Sequence, residues 1–392
     1  MEFKKKTLGK EVISEQTVLV RVDFNVPIEK NEVSDDTRIK AAVPTINHLI
    51  EQNNAVILIS HLGRPGGKRD ADYTLAPVAE RLSAILDRKV KFAPDCLGET
   101  AANEVEDLKL GEILLLENTR FYPGEKTNDQ AMAQELASFA DVFVNDAFGT
   151  AHRAHASNVG VAGFLPAVAG FLLEKEIVYL GKTIQDPEKP FTAVLGGAKV
   201  SGKIGVIKNL LPKADQILIG GGMANTFFKA MGLEMAESLV EDDAISTAEE
   251  LLNLGEDKLI LPVDLVLAEE FSPQAQKQEI ELGDVPAGWR VMDIGPKTIK
   301  KFGEVINNSK TVVWNGPMGV FEFERFAAGT FQLAKIIAAS GIVSIIGGGD
   351  SAAAVQKTGL GDQITHISTG GGASLQMLAG EELPGLTALD NE

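Results

Sequence analysis

The stretch IKAAVPTINHLIEQNNAVILISHLGRPGG, residues 39–67, decides the fold class. Ile39, Val43, Ile46, Leu49 and Ile50 recur on one face at helical spacing, and Ser34 to Thr37 supply capping side chains ahead of them. The next apolar run, Ala55–Ser60, has no such period. It is short, β-branched and apolar on both faces, which predicts a strand buried between two layers. A helix feeding a doubly buried strand is the repeating unit of an open parallel sheet. Ligands of such sheets bind beyond the carboxyl ends of the strands, and here that position holds His61-Leu62-Gly63-Arg64-Pro65-Gly66-Gly67.

The same grammar extends in both directions. Strands are expected over Thr17–Val22, Lys89–Ala93, Glu112–Glu117 and Asp141–Asn145, with a helix over Asn128 to Phe139. A second series follows: Phe191–Leu195, Gln216–Ile219, Leu259–Ile260 with Val263–Leu267, Thr311–Trp314, Val343–Ile346 and Ile364–Ser368. The expected fold is α/β, with two Rossmann-like domains, each a mostly parallel sheet flanked by helices. A chain of 392 residues exceeds what one core usually supports. Phe171 to Ile184 reads as a helix ending before Asp186-Pro187, which makes 171–185 the expected hinge between domains at 1–170 and 186–375.

Charge narrows the ligand. A formal net charge of −18 argues against a nucleic-acid surface or an anionic membrane. No window approaches the ~20 apolar residues of a membrane span, and MEFKKKTLGKEV lacks the apolar stretch of a signal peptide. The single Cys96 excludes an internal disulfide, fits a reducing cytoplasm, and reads as a structural thiol. An acidic chain that binds an anion must gather Arg and Lys locally.

It does so at the strand ends. Arg21-Val22-Asp23-Phe24-Asn25 follows the first strand, Glu117-Asn118-Thr119-Arg120 the fourth, and Asn145-Asp146 leading to His152-Arg153-Ala154-His155 the fifth. With Arg64 after the second strand and Arg38 at a helix start, five arginines are expected on one rim. Their planar forks bind phosphate and carboxylate bidentately. The second series instead ends in glycine: Gly196-Gly197-Ala198-Lys199 with Lys203, Gly220-Gly221-Gly222, Gly347-Gly348-Gly349-Asp350-Ser351, and Gly370-Gly371-Gly372. Two of these runs are expected to open helices, near Asp350 and Ala373, where free N–H groups form an anion site. Lys199 and Lys203 share a side if that segment begins a helix. Asp350 among phosphate-binding amides suits a cation, and Mg²⁺ takes one or two carboxylates plus substrate phosphates. No G-x-x-x-x-G-K-[ST] run exists, so the site is not of the Walker type.

Two other classes compete at this point. Gly347-x-Gly349-x-x-Ala352 matches the dinucleotide fingerprint of an NAD-dependent dehydrogenase, but the acid expected about 20 residues on is missing. A non-catalytic two-lobed binder of a phosphorylated metabolite would use the arginines but not a glycine-lined lobe. His152 and His155 at i, i+3 lack the further ligands of a metal site.

Taken in order, RVDFNVP (Arg21), SHLGRP (Ser60), LLLENTRFYPGE (Leu114), FVNDAFGTAHRAHAS (Phe143), GGAKVSGKIGV (Gly196), GGGMANTF (Gly220), VWNGPMGVFE (Val313), GGGDSAAA (Gly347) and STGGGAS (Ser368) resemble the phosphoglycerate kinase family over essentially the whole chain. The resemblance implies 3-phosphoglycerate on the first domain and Mg-ATP or Mg-ADP on the second, with transfer from 1,3-bisphosphoglycerate to ADP. It assigns Asp23, Phe24, Asn25, Arg38, His61, Leu62, Gly63, Arg64, Arg120 and Arg153 to the acid. It assigns Gly196, Gly197, Lys203, Gly220, Gly221, Val291, Asn315, Glu322, Gly348, Gly349, Asp350 and Ser351 to the nucleotide, Asp350 also to Mg²⁺, and Arg38, Lys199, Gly371 and Gly372 to the group in transit. It further implies a monomer whose tail, 376–392, returns to the first domain. Gln376 departs from the family's usual Glu. An acyl phosphate leaves as a stable carboxylate, so no general base is expected, and positioning after closure about the hinge must suffice.

Overall fold

The computed structural model describes residues 4–392; the expected domain start at residue 1 lies outside the described residues. The chain forms two compact units, one running to Val178 and including Glu382–Glu392, the other spanning Tyr179–Glu381.

The first unit contains β1 (Thr17–Arg21), a hairpin of β2 (Ile28–Glu29) and β3 (Glu32–Val33), β4 (Ala55–Ile59), β5 (Val90–Ala93), β6 (Ile113–Leu116), β7 (Val142–Asn145) and β8 (Ala167–Ala169). Six of them make a parallel sheet in the order β5-β6-β4-β1-β7-β8. Every residue of β4 is buried, as its unbroken apolar run predicts. Each of its large side chains contributes about 1.5–3 kcal/mol by leaving water. The chain order reverses between β1 and β7, which brings the loops after these strands to the switch point where open sheets hold ligands. The helix Thr37–Glu51 buries Ile39, Ile46 and Leu49 against this sheet's core. Within the expected stretch Ser34 to Thr37 it is Asp35 whose Oδ1 accepts from Thr37 N at 2.9 Å, while Asp36, at the cap position itself, makes no capping bond and is engaged by Lys40 and Arg81.

The short edge strand β8 follows Pro166 and has no sequence signature of its own. Both ends of the chain cover it. Leu8 N donates to Ala169 O at 2.8 Å, Asp390 N donates to Ala167 O at 3.0 Å, and Lys5 bridges to Asn391. An exposed sheet edge is thereby removed. The unit changes between Glu381 and Glu382, and Gln376 itself lies partly buried in the helix Gly371–Leu378 of the second unit.

The helix expected over 171–184 is present but not uniform. Phe171–Glu176 and Lys182–Gln185 are α-helical, and a π-helical turn, Ile177–Gly181, lies between them. Its start is held by the loop after β7, where Asp146 Oδ1 accepts from Leu172 N at 2.8 Å and Leu173 N at 3.2 Å.

In the second unit, β9 (Phe191–Leu195), β10 (Gln216–Ile219), β11 (Leu259–Ile260), β15 (Thr311–Asn315), β16 (Val343–Gly347) and β17 (His366–Ile367) form a parallel sheet ordered β11-β10-β9-β15-β16-β17. Its switch point lies between β9 and β15. The run expected as Val263–Leu267 does not join that sheet. It is β12 (Asp264–Ala268), which pairs antiparallel with β13 (Lys277–Glu281) and β14 (Arg290–Ile294) in a separate three-stranded sheet. The sequence hides this sheet because β13 alternates exposed charged residues with the half-buried Gln278 and Ile280 and contributes no apolar run.

Candidate active site

Four neighbouring strands of the first unit, β6-β4-β1-β7, point their carboxyl-end loops at one rim, and hydrogen bonds fix those loops to one another. Ser60 Oγ accepts from Phe24 N at 2.9 Å. The fully buried Asn118 accepts from Leu62 N at 3.1 Å and returns a bond to Leu62 O at 2.8 Å. Phe24 and Leu62 are buried and act as packing beneath the rim. Gly63 has φ +58°, and a Cβ there would lie 2.2 Å from the Tyr73 ring, so the turn requires glycine.

On this frame the expected acid-binding residues converge. Arg38 Nη1 reaches Asp23 Oδ2 at 3.1 Å and Asn25 O at 3.2 Å. Asn25 Oδ1 accepts from Gly63 N at 2.9 Å, and Arg120 Nη1 donates to Gly63 O at 2.7 Å. Arg153 Nε donates to His152 Nε2 at 3.0 Å, and its charge acts on both His61 and Arg120. Burial, then the charges of Arg153 and Arg21, press the Arg120 guanidinium down to about 10. A site that weakens its own cations in this way is short of negative charge, which an anionic ligand supplies. Arg64 is exposed on the His61 loop, and no hydrogen bond among the described residues ties it to the cluster.

Arg21 departs from the expected rim. It is fully buried beneath the cluster, with Nη2 3.1 Å from His61 Nδ1 and Nε donating to Ser157 Oγ at 2.9 Å. Its buried counter-ion Glu125 and the linking Ser157 were not found from sequence. A lone Glu within an apparent surface turn gives no signal of burial. His155 Nδ1 lies 3.6 Å from Glu125 Oε1, and His152 Nε2 accepts from Arg153 Nε.

The second unit holds a cavity of about 870 Å³ lined by Gly197, Gly221, Val291, Glu322 and Asp350 among the expected nucleotide residues. Leu239, Met292 and Phe323 give it an apolar end that sequence reading did not assign, since two of them come from the unrecognised β14 and the loop near β15. The glycines act mainly by lacking side chains. Gly196 N, Gly197 N and Gly221 N are already engaged by Asn315 O, Pro317 O and Met318 O at 2.9, 2.9 and 3.0 Å. Gly221 has φ +66°, and a Cβ there would meet the backbone of Gly197 at 2.6 Å. Gly220 packs against Met318, where a Cβ would come within 2.4 Å of Sδ.

Three glycine runs, not two, open helices: Gly222–Ala230, Gly349–Lys357 and Gly371–Leu378. Neither of the last two starts is capped by a side chain, and a Cβ on Gly371 would lie 3.2 Å from Gly349 N. Two uncapped helix N-termini thus stand side by side, which concentrates unsatisfied N–H groups. Gly348 has φ +93° and lies against Asn315. Ser351 is buried, its Oγ accepting from Gly316 N at 2.7 Å, so its side chain holds the loop. The turn Ser201–Lys203 precedes the helix Ile204–Leu210, so Lys199 and Lys203 do not share a helical face. Lys199 is exposed; Lys203 is buried, donates to Asn315 Oδ1, and is pushed down to about 8 by burial, with Asp350 opposing.

Asp350 is exposed in the first turn of its helix and lines the cavity. No group of three or more His, Cys, Asp or Glu that could hold a metal exists among the described residues. One open carboxylate beside an anion site fits a cation held chiefly by a ligand's phosphates.

A family model described as phosphoglycerate kinase matches residues 10–381. A phosphoglycerate kinase of Chloroflexus aurantiacus is 54% identical over 396 residues, covering 99% of each chain. One of Herpetosiphon aurantiacus is 53% identical over 392 residues, covering 99% of this chain and 100% of that protein. The solved phosphoglycerate kinase of Coxiella burnetii superposes with a TM-score of 0.89 at 40% identity, and that of Pyrococcus horikoshii with 0.86 at 38%, each over 98% of both chains.

Proposed function

The chain belongs to the phosphoglycerate kinase family and catalyses reversible phosphoryl transfer from 1,3-bisphosphoglycerate to ADP, giving 3-phosphoglycerate and ATP; within that reaction we propose a specific division of labour among its residues. The basic rim of the first unit holds the acid. Arg120, Arg153 and Arg64 take its phosphate and carboxylate, while Asp23 and Asn25 aim Arg38. The observation that carries this reading is the continuous bonding from Arg38 through Asn25 to Gly63 and Arg120, with Asp23 as a second acceptor for Arg38.

The cavity of the second unit takes the nucleotide. Its apolar end receives the base, Glu322 the ribose, and the paired helix starts at Gly349 and Gly371 the phosphates. Lys203, supported by Asn315, and the exposed Lys199 supply cations there. When bound with the nucleotide, Mg²⁺ neutralises phosphate charge, and Asp350 is the residue that would hold it.

No side chain has to move a proton. The carboxylate leaving group is already stable, and in reverse the attacking carboxylate is already ionised. Arg38, Lys199 and the amides of Gly371 and Gly372 instead neutralise the equatorial oxygens of the group in transit.

The partners are small molecules, and the protein works as a monomer in the cytoplasm; no helix among the described residues is long and apolar enough to cross a membrane. A coupled assay with 3-phosphoglycerate and Mg-ATP tests the residue roles. Asp350→Asn should raise the Mg²⁺ concentration needed for half-maximal rate about tenfold and leave the KM for 3-phosphoglycerate unchanged. An unchanged Mg²⁺ requirement removes Asp350 from the metal's surroundings.

A further inference from the structure

Arg21 ends β1 with no exposed surface, yet it reaches the floor of the acid site. Its Nε donates to Ser157 Oγ at 2.9 Å, its Nη1 donates to Val22 O, and its Nη2 lies 3.1 Å from His61 Nδ1. Ser157 passes the contact on: its hydroxyl donates to Glu125 Oε1 at 2.7 Å and its N–H to Oε2 at 3.0 Å. Burial alone would raise the Glu125 carboxyl, but His155, Arg21 and Ser157 outweigh it and hold the group at about 2. The carboxylate is therefore ionised at any working pH. It anchors the guanidinium, which cannot turn away from His61.

A guanidinium has donors and no acceptor. The 3.1 Å approach is a hydrogen bond only when His61 Nδ1 offers a lone pair. A proton on Nδ1 would set two donors head to head. An imidazolium would do the same and add a charge facing Arg21, Arg120, Arg153 and His155 in a buried place. Burial first, and those charges second, hold His61 well below the usual histidine range. Its Nε2 makes no hydrogen bond among the described residues, so it is the nitrogen left for a ligand.

We propose that Arg21, anchored by Glu125 through Ser157, is a positioning residue that holds His61 as the neutral tautomer with its proton on Nε2. His61 then offers the acid's carboxylate one directed N–H and no charge. The inference rests on the placement of His61 in the acid site proposed above. It separates two tasks usually merged in a basic cluster: the arginines supply charge, and His61 supplies direction.

Long-range ¹H–¹⁵N correlation of the intact protein labelled with ¹⁵N-histidine reads the tautomer directly, with the His61 signals identified by their loss in His61→Gln. The expected result is an unprotonated Nδ1 and a protonated Nε2 from pH 8 down to pH 5. A proton on Nδ1, or an imidazolium at pH 6, overturns the proposal. In Arg21→Met, and more weakly in Ser157→Ala should the first variant not fold, His61 should populate the second tautomer or protonate between pH 5 and 7. The KM for 3-phosphoglycerate should rise about fivefold, the value of one neutral hydrogen bond, with the KM for nucleotide unchanged. If His61 keeps its Nε2 proton in both variants, Arg21 does not position it. Adding 3-phosphoglycerate to the unmodified protein should shift the Nε2 signal. If that signal stays still while the tautomer is as expected, it is the assignment of His61 to the acid that fails.

Discussion

Lys203 donates to Asn315 Oδ1, tying the residue that ends the turn after β9 to the last residue of β15 across the switch point of the second sheet. The pair fixes a cation where the glycine loops converge. It also leaves that cation short of solvent, and the ammonium is pushed down to about 8.

Nucleotide use should therefore weaken in mild alkali. As pH rises past about 8 the free enzyme loses the Lys203 proton, and kcat/KM for Mg-ADP should fall about tenfold per pH unit once past that point. The stability term has the opposite sense. The folded pKa lies below the unfolded value of 10.5, so between about 8 and 10.5 the unfolded chain binds more protons and this group's contribution to stability rises with pH. Lys203→Met should abolish the alkaline limb of the rate profile; an unchanged limb would assign it to another group.

Arg38→Ala should lower turnover by a hundredfold or more, corresponding to about 3 kcal/mol of lost transition-state stabilisation, and leave nucleotide affinity within about twofold. Asp23 would then lose the cation it is hydrogen-bonded to among the described residues. Steady-state kinetics alongside a direct nucleotide titration separate the two effects. Equal losses in both would sink the division between acid rim and nucleotide cavity.

Gly221→Ala tests whether the glycine wall is structural. The new methyl would stand 2.6 Å from Gly197 N and 2.7 Å from Pro317 O, at φ +66°. We expect destabilisation of about 1–3 kcal/mol and a raised KM for nucleotide, measured by thermal unfolding and initial rates. Gly202→Ala, where no atom lies within 4 Å of the added carbon, is the control and should leave both unchanged.

How much of this was legible in the sequence depended on whether burial followed polarity. β9 and β10 have the bounds their apolar runs predict, Phe191–Leu195 and Gln216–Ile219, because both faces of each are covered. Asp23, Asn25, Arg38, His61 and Arg120, expected to bind the acid, converge because parallel topology puts strand ends on one edge. Arg21 failed the same reasoning: a charged side chain at a strand end is expected in solvent, and only the three-dimensional placement of Glu125 and Ser157 makes it a buried support. The glycine runs were visible as runs, but not which of their amides are free. That depends on the loop Asn315–Met318, which occupies Gly196, Gly197 and Gly221. The antiparallel sheet was lost because Lys277–Glu281 offers one half-buried face rather than an apolar one.

Asp146 should make the first unit's stability depend on pH in the direction opposite to most carboxylates. Burial raises it to about 6, although Thr45 and the amides of Leu173 and Leu172 pull it down. With a folded pKa above the unfolded 3.8, its favourable contribution is complete below about pH 3.8 and is lost as pH rises through about 6. Asp146→Asn keeps an acceptor for the two amides and removes the buried charge. At pH 7 the variant should be about 1–3 kcal/mol more stable in chemical denaturation, with the gain vanishing near pH 4. A gain independent of pH would place its origin elsewhere.

The covering of β8 by both Leu8 and Asp390 carries a consequence for biosynthesis. Residues 382–392 emerge from the ribosome only after all of Tyr179–Glu381, so the second unit can mature while the first still lacks its bridge between Lys5 and Asn391. The unit whose strands are made first is thus the one whose last contact is made last, and a nascent chain stalled before Glu382 would have β8 covered at Ala169 by Lys6 and Leu8 but left without the Asp390 bond at Ala167.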